Sequence, residues 1–301
     1  MVVSEVTAIV CTKGRPSAAA TVVASLLADK DECFELLVVD QTDGPETELA
    51  LQPWRQDPRL HYRHSTSRGK GAALNEGVRE ARGAIVVCTD DDCQPPRNWV
   101  SNMARALESQ PSAVIAFCQV IAVPHDQKAG YVPSYEFEKS RLLRSISAIC
   151  GGLGLGAGMA VRRDFALSIG GFDECFGPGA RFPSADEWDI SMRALLRGKH
   201  VYEAAHLSIV HDGFRTFEQG RTHARRDWIA LGAVCAKPIL AGHMEAVIVP
   251  FWLFGTRALW PPISDLLHLR KPRGLGRMTA FGRGLAEGFA TRVDRKTLRF
   301  K

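Results

Sequence analysis

The feature that most constrains this chain is a series of apolar runs of strand length that alternate with helix-like segments through its first half. The runs cover residues 6–12, 35–42, 60–65, 84–89 and 114–123, and the helix-like segments cover 17–28, 70–81 and 95–108. Near-continuous apolar strands separated by helices are typical of a parallel sheet with both faces covered. The sequence therefore predicts an α/β fold with a Rossmann-like, mostly parallel sheet flanked by helices.

Acidic residues directly follow two of the predicted strands. Asp40 ends the second strand, and Asp90-Asp91-Asp92 ends the fourth, within the segment CTDDDCQPP. Asp and Pro are ordinary turn formers, whereas paired carboxylates on a loop suit a hard divalent cation. In open parallel sheets, ligands bind outside the carboxyl ends of the strands. The position of these aspartates favours a ligand site, although the motif alone is compatible with a solvated turn.

The second half of the chain has a different pattern. Residues 151–159 are glycine-rich, which lets the backbone approach a ligand closely, and they lead into a short strand, a helix and a turn. Helical spacing returns over residues 186–197, and residues 201–213 read as a strand or two. A further helix is predicted from Thr216 towards Cys235.

The composition is ordinary for a globular protein with a sizeable core, at 301 residues, 46% hydrophobic and 24% charged. The eight cysteines are scattered and form no CxxC pair, so we expect reduced thiols rather than a zinc site. The first residues lack the basic and apolar regions of a signal peptide. These observations predict a cytoplasmic protein.

The charge is unevenly distributed along the chain. Residues 268–301 contain ten Lys or Arg against two acidic residues, a net charge of +8 within a total of +5. An apolar, aromatic segment at 246–260 precedes them, and its uncharged part, 246–256, is far short of the ~20 residues that span a bilayer. It is either a core helix broken by Pro250 or an interfacial segment that, with the basic residues, lies on an anionic membrane. The second alternative predicts a peripheral position on the inner face of the plasma membrane.

Five segments, taken in order, resemble the family 2 glycosyltransferases, which have the GT-A fold. They are IVCTKGRP, LLVVDQTDG, SRGKGAALNEGVREARGAIVVCTDDDCQPP, GAGMAVRRDFALSIGGFDE and DEWDISMRALLRG. The resemblance implies a catalytic domain over residues 1–240, with a nucleotide-binding half at about 1–125 and an acceptor half at about 126–240. Residues 241–301 then form a C-terminal, helical, apolar and basic extension.

The resemblance also implies an activity. It is inverting transfer of a sugar from a nucleotide diphosphate donor, expected to be UDP-linked, to a hydroxyl of a glycan or lipid-linked acceptor. Such a reaction belongs to the synthesis of cell-surface polysaccharides or glycolipids. A catalytically inactive relative and a nucleic-acid-binding protein that uses the basic residues are the alternatives. Intact acidic motifs argue against the first, and the absence of any nucleic-acid-binding motif means that no nucleic acid is expected as a partner.

Two other enzyme classes place carboxylates after a strand. The aspartyl-phosphate phosphatases need DxDx[TV], but the fifth position here is Gln94. The sugar nucleotidyltransferases open with a glycine-rich loop after the first strand, where this chain has Thr12-Lys13-Gly14-Arg15. Neither class fits the motifs.

The resemblance assigns roles to individual residues. The metal ligands are expected to be Asp90, Asp92 and His211, and the cation Mn²⁺ or Mg²⁺. The residues that contact the nucleotide are expected to be Thr12, Arg15, Asp40, Arg68, Lys70, Asp90 and Asp91. The walls of the donor-sugar and acceptor sites are expected to be Gly156, Ala157, Gly158, Phe172, Asp173 and Trp188, although Trp188 fits core packing equally well.

The catalytic base departs from the family pattern. Family members usually have Glu-Asp-x-Asp at the start of a helix, whereas this chain has Asp186-Glu187-Trp188-Asp189, with the first two acids exchanged. A literal alignment makes Glu187 the base and Asp186 the alternative. Asp189 is expected to fix the helix by hydrogen bonding.

Overall fold

The computed structural model describes residues 6–28 and 33–301. Within them, the strands are β1 Val6–Thr12, β2 Glu35–Asp40, β3 Leu60–His64, β4 Ile85–Asp90, β5 Cys93–Gln94, β6 Ala113–Ala122, β7 Gly130–Tyr131, β8 Arg141–Leu143, β9 Met159–Arg162, β10 His200–His211, β11 Arg215–Thr216, β12 Val293–Asp294 and β13 Arg299–Phe300. The α-helices are α1 Pro16–Leu27, α2 Glu46–Ala50, α3 Lys70–Glu80, α4 Trp99–Glu108, α5 Arg163–Ser168, α6 Asp186–Leu195, α7 Phe217–Leu240, α8 Ile248–Trp252, α9 Trp260–Leu267 and α10 Leu275–Phe289. The first five residues, which bear on the expectation of no signal peptide, lie outside the described residues.

One central sheet organises the fold. Its strand order is β3-β2-β1-β4-β9-β6-β10-β5, and β8 pairs with β10 at one edge. β1, β2, β3 and β4 are parallel, and β6 is parallel to β10. β9 is antiparallel to both β4 and β6, so β4 and β6 point the same way. The predicted mixed α/β fold with a mostly parallel sheet is confirmed.

The predicted strands and helices of the first half form within a few residues of their predicted bounds. β2 ends at Asp40 and β4 at Asp90, and the register pairs Thr12 with Asp40 and Cys11 with Asp90. The acidic residues therefore meet at one edge of the sheet, as predicted. The order of the strands was not predicted, since the short β9 inserts between β4 and β6 although it follows both in the chain.

The C-terminal helices pack on the preceding part of the chain. Glycines allow α7 and α10 to approach closely, because a Cβ at Gly284 would collide with the carbonyl of Ile229 and one at Gly288 would lie 2.7 Å from the Cβ of Ala236. Phe281 on α10 is fully buried in the cluster of apolar side chains that contains Ile9 of β1. Residues 241–301 therefore share the core of the preceding domain.

The helical segment Met244–Leu267 is longer than the sequence suggested. It runs through a 3₁₀ turn, α8, a π-helical stretch Leu253–Leu259 and α9 without the expected break at Pro250. Pro250 lies in the first turn of α8, where its missing N–H and its ring are tolerated. The expectation that this segment is too short to span a bilayer was therefore wrong on length. By length and composition alone it could cross one, and 33% of its apolar window is buried in the protein.

The end of the chain returns to the loop that precedes α6. The hairpin of β12 and β13 places Phe300 against the rings of Phe176 and Phe182, with centroids 5.6 and 5.8 Å away. The basic C-terminal segment is therefore an integral part of the fold, and Phe176 and Phe182 belong to the loop that leads into α6.

Candidate active site

A cleft of about 1120 Å³ opens at the carboxyl ends of β1, β2 and β4. Its floor and walls come from the loops after these strands, from the glycine-rich segment and from the start of α6. The sequence-predicted residues that line it are Thr12, Arg15, Arg68, Lys70, Asp90, Asp92, Gly156, Ala157, Asp186, Glu187 and His211. The parallel strands thus bring together residues that are up to 199 positions apart.

Asp92 and His211 face each other at one end of the cleft. The ring Nε2 of His211 lies 3.3 Å from Asp92 Oδ1, an oxygen that is buried and accepts no hydrogen bond. Nδ1 of His211 donates to the carbonyl of Pro133 at 2.9 Å, which leaves Nε2 directed at Asp92. Gly213 makes room for the ring, since a Cβ there would lie 2.7 Å from its atoms.

These residues fit a divalent cation. A free carboxylate oxygen and an imidazole nitrogen are a usual pair of ligands for such a cation. In metal-binding histidines the other ring nitrogen commonly donates a hydrogen bond to a carbonyl or a carboxylate. Asp92, His211 and Cys93 all offer ligand atoms within 4.8 Å of one another. Burial raises the pKa of the Cys93 thiol, so this sulfur stays protonated and is a poor ligand for a hard cation. Asp92 and His211 are therefore the two residues of this group that could hold a hard divalent cation.

Arg15 shares the carboxylates of this loop. Its guanidinium lies 2.9 Å from Asp92 Oδ2 and also pairs with Asp91. Although burial opposes ionisation, the facing His211 and the guanidinium of Arg15 together hold the pKa of Asp92 well below its usual range. Asp92 is therefore a carboxylate at neutral pH, as a metal ligand must be.

Asp91 points away from the cleft. Its carboxyl is buried and accepts a hydrogen bond from Thr12 Oγ1 at 2.7 Å. Burial raises its pKa to about 6, against the opposing effects of Arg15 and Thr12. The structure therefore corrects its expected contact with the nucleotide: Asp91 orients Arg15 and the first loop.

Lys70 lies between the two ends of the cleft. Its ammonium forms a short ion pair with Asp90 Oδ1. Although burial alone would lower it, Asp90 and Asp186 together raise the pKa of Lys70, so the side chain stays cationic. Lys70 therefore engages one carboxylate oxygen of Asp90, and the expected role of Asp90 as a metal ligand stays a prediction.

Asp186 and Glu187 form a carboxylate pair at the other end. They open α6 directly after Ala185, a non-glycine residue in the left-handed region at φ 66°. Such backbone is strained by about 1–3 kcal/mol and persists only where the surroundings impose it. Burial and then the charge of Asp186 raise the pKa of Glu187 well above its usual range. Glu187 therefore binds a proton more readily than an isolated glutamate does.

Gly156 leaves a space between these groups. A Cβ at this position would lie 3.6 Å from Lys70 Nζ and 3.9 Å from a carboxylate oxygen of both Asp186 and Glu187. Three ionisable groups thus converge on this one backbone position. A substrate atom that rests on Gly156 would be in reach of all three.

A buried ionic cluster holds α6 in place. Lys237 of α7 is 1% exposed and pairs with Asp173, at 2.6 Å, and with Asp189 of α6. Asp189 also accepts from Arg193 Nε at 2.8 Å. The prediction that Asp189 fixes the helix by hydrogen bonding is confirmed.

Five other predicted contact residues do not line the cleft. Asp40 is fully buried and accepts hydrogen bonds from Thr42 N at 2.9 Å and Tyr62 Oη at 2.8 Å. Phe172 is 1% exposed and lies in the core, and Asp173 is occupied by Lys237 and by the backbone N–H of Phe300 at 2.8 Å. Gly158 is buried against Cys118, and Trp188 packs on the core. The structure thus turns these residues away from the cleft, because a sequence motif does not report which way a side chain faces, and for Trp188 it agrees with the core-packing alternative.

Sequence reasoning missed other residues of the cleft. Gln41 and Asp43, which flank the Asp40 motif, line it in place of Asp40. Arg215, His223, Arg226 and Asp227 form its far wall, from β11 and the first turns of α7. The capping box of Thr216 and Gln219 marked the start of this helix, but no motif indicated that it borders the cleft.

The family model for glycosyl transferase family 2 matches residues 7–167, more than half of the chain. The chain belongs to this family. Over 96 residues it is also 36% identical to a dolichol-phosphate mannosyltransferase of Mycosarcoma maydis, a match that covers 31% of this chain and 32% of that protein. The chain thus matches about a third of the length of this curated relative.

Solved structures show the same fold at low identity. Residues 1–349 of S. aureus TarS in complex with UDP-GlcNAc superpose with a TM-score of 0.64 at 16% identity, covering 94% of this chain and 80% of that one. Mannosyltransferase PcManGT from Pyrobaculum calidifontis, in complex with GDP-Man and Mn²⁺, superposes with a TM-score of 0.60 at 20% identity, covering 95% and 87%. The GT-A fold of this family 2 glycosyltransferase is therefore confirmed.

Proposed function

We propose that this family 2 glycosyltransferase is inverting and divalent-cation-dependent, and that it moves a sugar from a nucleotide diphosphate sugar to a hydroxyl of a glycan or lipid-linked acceptor. One observation carries the proposal: a single cleft holds an Asp–His pair at one end, a carboxylate pair at the other, and Lys70 between them. The cation and nucleotide sugars bound by structurally similar glycosyltransferases support a donor of this class.

Asp92 and His211 would hold the cation, Mn²⁺ or Mg²⁺. When bound, it acts as a Lewis acid that neutralises the charge growing on the leaving diphosphate. Lys70, Arg15 and Arg68 place further positive charge on this side of the cleft. A donor diphosphate would therefore lie between these cations, with its sugar directed towards Gly156.

Glu187 is the proposed base. It takes the proton of the acceptor hydroxyl as that oxygen attacks the anomeric carbon. The bond from that carbon to the diphosphate breaks, and the electron pair leaves with the nucleoside diphosphate. Attack from the face opposite to the leaving group inverts the anomeric configuration. The raised pKa of Glu187 suits proton abstraction from a weakly acidic hydroxyl.

The test is a panel of UDP-glucose, UDP-galactose, UDP-GlcNAc and GDP-mannose with Mn²⁺, in which release of the nucleoside diphosphate is measured. We expect one donor, UDP-linked, to be hydrolysed slowly. Glu187→Gln should lower this turnover by ~10²–10⁴-fold while donor binding is unchanged. If Asp186→Asn is inactive and Glu187→Gln is active, Asp186 is the base. Donor binding without any turnover by the wild type would show an inactive relative.

A further inference from the structure

The segment Met244–Leu275 carries a concentrated apolar surface. Nine of the fourteen strongly exposed large apolar side chains in the described part of the chain lie within it. They are Met244, Ile248, Phe251, Trp260, Ile263, Leu266, Leu267, Leu269 and Leu275, with exposures from 37% to 97%. Scattered exposed apolar residues are normal in soluble proteins, but a contiguous group marks a contact surface.

The opposite face of this segment is fixed to the protein. Ala246, Val249 and Ala258 are fully buried and Leu253 is 5% exposed. Three of them belong to the apolar cluster that contains Ala233 and Cys235 of α7. A helix crossing a bilayer here would have to leave this core, so the packing favours a helix that lies along the domain and presents one face outward.

The π-helical stretch keeps the outward face continuous. The exposed apolar positions step by four and three residues from Met244 to Phe251 and by three and four from Trp260 to Leu267. The partly exposed Gly255 continues the first series by a step of four. Between Gly255 and Trp260 the step is five, which would rotate the stripe away in an α-helix with about 3.6 residues per turn. The backbone is π-helical over Leu253–Leu259, and its i→i+5 bonding places residue i+5 over residue i. The irregular backbone thus realigns the two halves of the stripe.

Cations adjoin the apolar stripe. Arg257, Arg270, Lys271, Arg273 and Arg277 are exposed. Arg277 donates to the carbonyl of Arg257 at 3.3 Å, which ties the end of the segment to its middle. The two acids of this region are Glu245 and the buried Asp265, which Arg273 neutralises at 2.8 Å. The surface is therefore both apolar and positively charged.

We propose that this surface, the side chains of Met244–Leu275, lies in the plane of an anionic lipid bilayer, with the apolar stripe inserted below the headgroups and the arginines among them. Amphipathic helices are held at such interfaces by inserted apolar side chains together with the attraction of their cations to anionic lipids. The inference is independent of the proposed donor and base, because none of these residues lines the cleft. Attachment is peripheral.

The test uses the full chain and vesicles of phosphatidylcholine with and without 30% phosphatidylglycerol. We expect sedimentation with the anionic vesicles at low salt, and release by high salt. The double variant Phe251→Gln/Leu267→Gln should bind at least ~10-fold more weakly, since it removes two inserted side chains. Leu49→Gln, at a position that is 63% exposed on α2, is the matched control and should bind like the wild type.

Three outcomes would overturn the proposal. One is the absence of vesicle binding by the wild type at low salt. Another is equal binding by the double variant and the wild type. The third is a protein that resists both salt and alkaline extraction, which would indicate a spanning helix. If vesicles are not bound and the double variant instead converts a dimer to a monomer in sedimentation velocity, the surface contacts a second copy of this chain and the lipid proposal fails.

Discussion

Replacement of Lys237 by Met tests how the catalytic helix is held. Lys237 is the cation of a cluster that joins α7, α6 and the loop before α6, through Asp173 and Asp189. Met keeps the length and the apolar stem but removes the charge and its donors. The variant therefore leaves two buried carboxylates without their shared cation.

The expected loss in the free energy of unfolding follows from the hydrogen-bond partners that Asp173 and Asp189 keep in this variant. Removal of one member of a buried ion pair costs about 3–5 kcal/mol in the free energy of unfolding. Asp189 keeps its bond from Arg193 at 2.8 Å, and Asp173 keeps those from Phe300 N at 2.8 Å and Cys175 N at 3.1 Å. We therefore expect the lower end, about 3 kcal/mol. With an unfolding entropy of about 2.1 cal/mol/K per residue, the melting temperature falls by roughly 5 °C.

The loss of stability in Lys237→Met should depend on pH. Although burial alone would raise it, the charge and hydrogen bond of Lys237 lower the pKa of Asp173. The stability from this pair is present above the unfolded pKa of about 3.9 and is lost as pH falls through the folded value. The deficit of Lys237→Met should therefore be full at neutral pH and shrink below pH ~4.

The measurement is thermal and urea unfolding of Lys237→Met. The control is Lys128→Met, which replaces an exposed lysine. The double variant Lys237→Met/Asp173→Asn should regain part of the loss, because one stranded charge is removed. Unfolding of Lys237→Met at the wild-type midpoint and slope would refute the reasoning. The reasoning would also be refuted if the double variant were less stable than Lys237→Met by as much as Asp173→Asn alone destabilises the wild type.

Three further predictions concern the cleft and the chain end. Glu187→Gln should raise the melting temperature at pH 8 but not near pH 4. A carboxyl whose pKa is raised in the folded state destabilises the fold increasingly as the pH rises above the pKa of the unfolded state. A difference in melting temperature that is independent of pH contradicts this. Gly156→Val should lower kcat/KM at least ~10-fold by filling the space beside Lys70 and both carboxylates, with an unchanged melting temperature; activity equal to wild type would show that substrate does not rest there. Truncation after residue 240 should give aggregated protein, since Ala246, Val249, Phe281 and Phe300 belong to the core; a soluble, nucleotide-binding fragment would show that the domain folds without them.

The sequence predicted the sheet well, and it predicted that the acidic residues after the strands meet at one edge. The apolar runs mark strands, and parallel strands place Asp90 and Asp92 at one edge with Thr12. His211 was singled out by the resemblance to the family 2 glycosyltransferases, and the structure places it opposite Asp92. The predictions at the strand ends depend on local pattern and strand polarity alone.

The side-chain directions could not be predicted in the same way. Asp40 lies at the correct strand end but faces inward to Tyr62, and its neighbours Gln41 and Asp43 reach the cleft instead. Asp173 is in a family-like motif, yet its partner Lys237 is 64 residues away and 1% exposed. Likewise, the break expected at Pro250 did not allow for a proline in the first turn of α8, and no sequence pattern indicated the π-helical stretch Leu253–Leu259.

Calorimetry of UDP binding with and without Mn²⁺ tests the central claim most directly, which is that Asp92 and His211 hold a cation for the donor diphosphate. The wild type should bind UDP at least ~10-fold more tightly with Mn²⁺. Asp92→Asn should lose this metal-dependent gain but keep the metal-free affinity, and the exposed control Asp126→Asn should retain both. The same metal-assisted affinity in Asp92→Asn as in the wild type would contradict the account.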